Sequence, residues 1–240
     1  MNTSPHPETQ TKTSFLKEGW SLALHYDFPL QVAFTFVTIG VFFFPLVFRG
    51  ELHYLFLPWN LFLAWVPYGL SLWMAALWDR GYHKVTYVLF VPWLVFFPNA
   101  PYILTDLMHL RYIASPVWYD TLLVFFFGLH GLGLGLSSLQ MIHEKLLLPW
   151  PKVIRTLALC IIAWASGFAI YLGRFLRWNS WDFIQQPTAL LVDIADRFLH
   201  PITHMKAHVT TLLCMLILLY AYGLFIRGRF DSPSQDNPSL

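Results

Sequence analysis

The chain has 240 residues, of which 57% are hydrophobic and only 12% charged, about half the charged fraction of an ordinary soluble domain. Polar surface on that scale cannot cover a water-soluble core, and the length leaves no room for a sizeable soluble domain beside a membrane-embedded one. The net charge of +2 is too small to argue for a nucleic-acid partner.

The composition predicts an all-α membrane protein, divided into a polar N-terminal segment (1–28), a single transmembrane helical domain (29–227) and a disordered C-terminal tail (228–240). The N-terminal segment carries Pro5 and Pro7 and lacks an apolar stretch followed by a small-residue cleavage site, so no removable signal is expected. A helix needs about 20 mostly apolar residues to cross the hydrocarbon core. Six stretches meet that length, over 29–48, 54–78, 85–105, 121–142, 156–176 and 208–226. Lysine and arginine gather on the side of the N-terminus, at Lys12, Lys17, Arg80, Lys84, Lys145, Lys152, Arg155, Arg227 and Arg229. This bias places both termini in the cytoplasm.

The second span begins at Pro58-Trp59-Asn60, which sets Asn60 at the opposite, extracytoplasmic end. The third span ends there in Phe97-Pro98-Asn99-Ala100-Pro101-Tyr102, followed by Thr105, Asp106 and His109. Each proline removes a backbone donor and turns the preceding residue away from helical angles. The carbonyls so freed are tolerated in lipid only where protein or water surrounds them. Two readings stand: a simple kink closed by Asn99, or a broken helix of the kind that lines transporter sites. On a resumed α-helix Asp106 and His109 share a face. That pair suits metal ligation, a proton relay, an aspartate fixing a histidine tautomer, or a structural hydrogen bond. Two ligands do not make a metal site, and no HExxH-type pattern adds more.

The fourth span follows Trp118-Tyr119-Asp120, with His130 near its middle. Gly131 and Gly135 form a small-xxx-small pair, matched by Ala165, Ala169 and Gly173 on the fifth span. Small residues let backbones approach, so the fourth and fifth spans are expected to pack tightly, with His130 hydrogen-bonded across that seam. The apolar setting of the 128–135 glycine run excludes a nucleotide-binding loop, and no GxSxG nucleophile signature is present. The sequence points to no particular cofactor. Cys160 and Cys214 lie in apolar stretches and read as core filler.

The fifth span ends in Gly173-Arg174-Phe175-Leu176-Arg177-Trp178-Asn179-Ser180-Trp181-Asp182. Arg174 and Arg177 sit where the positive-inside tendency predicts few cations. Arginine is suited to forked recognition of carboxylate or phosphate, so the pair either binds an anionic group such as a lipid phosphate or clamps Asp106, Asp120 and Asp182. Snorkelling to the headgroups is a third reading. In the long connection over 177–206, Leu190, Leu191, Ile194 and Phe198 repeat at helical spacing. They predict a short interfacial amphipathic helix over 187–201, between the fifth and sixth spans.

The strings Phe97-Pro98-Asn99-Ala100-Pro101-Tyr102 with Thr105-Asp106-Leu107, and 173–182 as quoted above, resemble a bacterial multi-pass membrane family catalogued as a domain of unknown function (1361). The resemblance covers most of the chain, from the second span to the sixth. It implies a bacterial inner-membrane protein and carries no catalytic role.

Three functional classes follow. A membrane enzyme acting on an anionic lipid or lipid-linked substrate would use Asp106, His109 and Asp120 as acid, base or ligand groups. Asn60, Asn99, Arg174, Arg177, Asn179 and Asp182 would then hold the substrate. A transporter would need a polar path across the bilayer, yet the cytoplasmic halves offer few ionisable groups besides Arg155, with Ser137, Ser138 and Gln140 as exceptions. A non-catalytic accessory protein would use the same polar layer to bind a partner whose identity the sequence does not give.

Overall fold

The computed structural model describes residues 17–49, 54–112 and 118–230, which are helical and joined by short turns, with no strand among them. The helices are α1 (Lys17–His25), α2 (Phe28–Arg49), α3 (Phe56–Asp79), α4 (His83–Phe96), α5 (Asn99–Tyr102), α6 (Trp118–Ile142), α7 (Lys152–Tyr171), α8 (Asp182–Gln185), α9 (Pro187–Leu199) and α10 (Met205–Phe230). A tighter 3₁₀ segment, Ile103–Tyr112, continues α5, and single wide turns, His143–Leu147 and Leu172–Leu176, end α6 and α7.

Among the described residues five helical segments are long and apolar enough to cross a membrane, and α1 with α2, bent by 64°, makes a sixth candidate. The all-α membrane architecture expected from the sequence is therefore the observed one. The helix α1 lies within the stretch expected to be merely polar. The last helix runs through Phe230, past the expected boundary at 227; the rest of the expected tail, 231–240, and residues 1–16 lie outside the described residues.

The bundle is organised around α6, whose apolar stretch is 67% buried, whereas that of α10 is only 17% buried. A helix apolar on all sides must be enclosed by protein or lipid, and these two take the opposite solutions. Contacts to α6 come from α2, α3, α5 and the 3₁₀ segment, while α7 pairs with α10. This corrects the expected seam between the fourth and fifth spans. Glycine does set the approach, but with other partners. A β-carbon at Gly131 would lie 2.7 Å from the Ala100 carbonyl oxygen, and one at Gly167 would lie 2.5 Å from that of Thr211. The glycines of α6 thus receive the broken third span, and the small residues of α7 receive α10.

His130 is correspondingly turned toward α2. It is 1% exposed, with Nδ1 3.2 Å from the Thr38 hydroxyl and Nε2 3.4 Å from that of Thr35. Trp65 Nε1 donates to the same Thr35 oxygen at 3.1 Å. The histidine is a satisfied core residue on a different interface from the one expected.

The end of the bundle holding Asp79 is richer in charge than the sequence reading allowed. The backbone turns between α1 and α2 at Asp27, where φ is 60°, and Arg229 reaches from α10 to both Asp27 and Gln140. The Tyr26 hydroxyl donates to Glu144 at 2.8 Å, Gln140 donates to the same carboxylate at 2.6 Å, and Lys145 pairs with Asp79 at 2.6 Å. These groups sit at helix ends and at a bend, positions that a scan for ionisable residues within apolar spans passes over.

Candidate functional site

The candidate site lies at the other end of the bundle, where α3 begins and the third span breaks. That helix stops at Phe96 because Pro98 and Pro101 cannot complete its hydrogen-bond ladder. The exposed carbonyls are taken up by side chains. Asn99 Nδ2 donates to the Phe96 carbonyl at 2.9 Å, and the Ser180 hydroxyl donates to that of Val95 at 3.3 Å. Asn99 also donates to Ser180 at 2.9 Å, tying the break to the segment after α7. The break is thus closed by Asn99, as the simpler reading held, and it also opens onto a cavity.

Beyond the break the chain resumes as the 3₁₀ segment instead of the expected α-helix. The Thr105 hydroxyl donates to the Tyr102 carbonyl at 2.6 Å, and the slimmer 3₁₀ helix fits against Gly128, where a β-carbon would lie 3.0 Å from Leu104 Cα. Thr105 and Asp106 both meet Arg174. The guanidinium donates to the Asp106 carboxylate at 2.5 Å and to the Thr105 hydroxyl at 2.7 Å, and lies 4.2 Å from the centre of the Tyr102 ring. Asn60 Nδ2 donates to the second carboxylate oxygen at 2.8 Å. The Asp106 side chain is 0% exposed and that of Arg174 8%. Three spans are therefore pinned by one desolvated, fully hydrogen-bonded ion pair.

Arg177 has a different fate. The wide turn Leu172–Leu176 rotates the chain, and Arg177 takes the left-handed conformation, φ 62°, uncommon for a side chain other than Asn or Asp. Trp178 N–H then donates back to the Leu172 carbonyl at 3.2 Å. In a regular helix residues three apart share a face; here Arg174 is buried in the clamp while Arg177 is exposed and makes no ion pair among the described residues. Asp182, expected as a partner for these arginines, instead accepts from the Asn179 backbone N–H at 2.7 Å and from Asn179 Nδ2 at 3.3 Å, fixing the loop. Trp178 Nε1 donates to Asp193 at 2.7 Å, which fastens the loop to α9.

Between α3, α4 and α7 this arrangement leaves a cavity of ≈ 380 Å³ whose lining includes Asn60, Asn99, Arg177 and Asn179. Its lower wall is apolar, with Leu63, Leu94 and Ala165 among the lining residues. Ala165 of α7 lies eight residues before Gly173 of the wide turn that follows it, so the lining runs about 12 Å along that span at the helical rise per residue. Trp59 and Trp181 stand at the rim, with ring centres 6.4 Å apart, and Leu190 of α9 closes one side. The interfacial helix expected over 187–201 is present as α9, and it leaves Leu191, Val192 and Leu199 exposed on its apolar side.

Of the residues proposed from sequence, the cavity gathers Asn60, Asn99, Arg177 and Asn179. Asp106 and Arg174 form the clamp behind its wall, and Asp182 orders its loop. Asp120 is buried in the first turn of α6 and does not line the cavity. The side chain of His109 lies outside the described residues. No cluster of three or more metal-ligating side chains occurs among the described residues. Sequence reasoning missed Ser180 and Asp193 as fasteners of the loop; isolated polar residues outside a span give no periodic signal.

No curated protein and no solved structure matches the chain. The family profile described as protein of unknown function (DUF1361) matches residues 59–221, from the rim of the cavity through most of the last helix. The chain belongs to that family.

Proposed function

We propose that the cavity binds a phosphate-bearing amphiphile, a phospholipid or lipid-linked molecule, with its anionic phosphate on Arg177 and its chain against the apolar lower wall. The observation that carries this reading is the division of labour between the two arginines. Arg174 is neutralised by Asp106, while Arg177 stands at the cavity with no ion pair among the described residues. A strained backbone that persists at a cavity rim is a pointer to function. The depth of the apolar wall suits a ligand entering from a leaflet.

In this reading the chain sits in a bacterial cytoplasmic membrane with both termini inside, and the cavity opens to the extracytoplasmic leaflet. The positive-inside bias supports that orientation. Binding is favoured over catalysis, because among the described residues no carboxylate, histidine or cysteine lines the cavity and the candidate acid Asp106 is enclosed by its own partners.

The test is native mass spectrometry of the purified chain with phosphatidylglycerol. Arg177→Gln is expected to weaken binding at least about tenfold, the range of one charge-assisted contact, while Arg155→Gln leaves it unchanged. Equal binding by wild type and Arg177→Gln refutes the proposal.

A further inference from the structure

Each of the three asparagines of the cavity has at least one amide N–H committed. Asn60 Nδ2 donates to the Asp106 carboxylate at 2.8 Å, Asn99 Nδ2 to the Phe96 carbonyl at 2.9 Å, and Asn179 Nδ2 to the Asp182 carboxylate at 3.3 Å. Carboxylates and backbone carbonyls only accept, so these bonds fix which end of each carboxamide is nitrogen. Rotating any of the three amides would set oxygen against oxygen. Among the described residues each Oδ1 is therefore the end left over, on side chains that line the cavity and are half-buried or exposed. The Ser180 hydroxyl spends its hydrogen on the Val95 carbonyl. The asparagine wall thus offers carbonyl acceptors, beside the donors of the Arg177 guanidinium and the second amide N–H of Asn60 and of Asn179.

From this complementarity, and resting on the binding reading above, we infer that the site selects a phosphate-bearing headgroup that also carries N–H or O–H donors. Phosphoethanolamine and phosphoglycerol heads satisfy both halves of the wall: phosphate to Arg177, ammonium or hydroxyl hydrogens to the asparagine oxygens. A phosphocholine head carries the same phosphate, but its quaternary nitrogen has no hydrogen to give. An acceptor that loses its solvent without gaining a donor weakens binding, so choline lipids are discriminated against without any steric barrier.

The experiment compares phosphatidylethanolamine with phosphatidylcholine of identical acyl chains, on the full chain in detergent. Wild type is expected to bind the ethanolamine lipid at least about tenfold more tightly, the worth of one to two hydrogen bonds. Asn179→Ala is expected to shrink that preference several-fold while leaving the dependence on Arg177 intact. Equal binding of the two lipids, both weakened by Arg177→Gln, overturns the donor preference and leaves the binding proposal standing. Insensitivity of both lipids to Arg177→Gln overturns the two together. Deacylated glycerophosphoethanolamine identifies the source: competition as strong as the intact lipid's supports donor selection but assigns the ligand to a soluble phosphodiester and contradicts the amphiphile.

Discussion

Arg174 and Arg177 are chemically identical, and only their surroundings separate them. Arg174 has lost its water and recovered it as bonds to Asp106 and Thr105 and as a face on Tyr102. Breaking a buried pair leaves one charge uncompensated, at a cost of about 3–5 kcal/mol. Arg174→Ala and Asp106→Ala are each expected to lower unfolding stability by that amount, measured by chemical denaturation in detergent, and the double variant to cost less than the sum of the two. Arg177 runs the other way. Its left-handed backbone is unfavourable by about 1–2 kcal/mol for most side chains, and asparagine tolerates that conformation. Arg177→Asn should leave stability equal or slightly higher while ligand binding is lost. A parallel loss of stability and binding would instead make Arg177 a structural residue.

At the scale of elements, the sequence was informative where lipid imposes a rule and silent where packing chooses among equals. Span lengths follow from bilayer thickness: α2, α6 and α10 cover the stretches expected for them, α3 starts two residues inside its stretch, and α7 completes its own with the wide turn Leu172–Leu176. The break at Pro98 and Pro101 follows from backbone chemistry, and α9 from its period. Which glycine meets which helix does not follow, because small residues on α6 and α7 license close approach without naming a partner. Hence the expected α6–α7 seam gave way to α6 against the broken span and α7 against α10, and His130 turned toward Thr35 and Thr38. The 3₁₀ winding of Ile103–Tyr112 likewise depends on the space beside Gly128. Two substitutions separate these cases. Gly131→Ala sets a β-carbon 2.7 Å from the Ala100 carbonyl and is expected to destabilise by about 1–3 kcal/mol. Gly69→Ala, with nothing within 4 Å, should gain about 0.5–1 kcal/mol from helix propensity. Equal effects in the denaturation midpoint would contradict the packing described.

At the scale of the molecule, charge collects at both ends of the bundle, in different forms. The Asp79 end holds ion pairs of Lys145 with Asp79 and Arg229 with Asp27, and a Glu144 carboxylate held by Tyr26 and Gln140. The Trp59 end holds the clamp and a cavity with an exposed guanidinium. Membership of an uncharacterised family assigns no ligand, so the reading of that cavity stands on its wall chemistry. Cysteine accessibility at positions 60, 99 and 179 is expected to report a single side, opposite to both termini. Labelling of any one of the three from the side of the termini would remove the common cavity.

The most direct measurement is a structure of the chain in nanodiscs containing phosphatidylethanolamine and phosphatidylglycerol. Headgroup density in the cavity, with phosphate oxygens in hydrogen-bond range of Arg177 and an acyl chain running down past Leu63 and Ala165, is the expected result. A cavity holding only water, with Arg177 turned away to bulk solvent and lipids confined to the outer surface of the bundle, would contradict it.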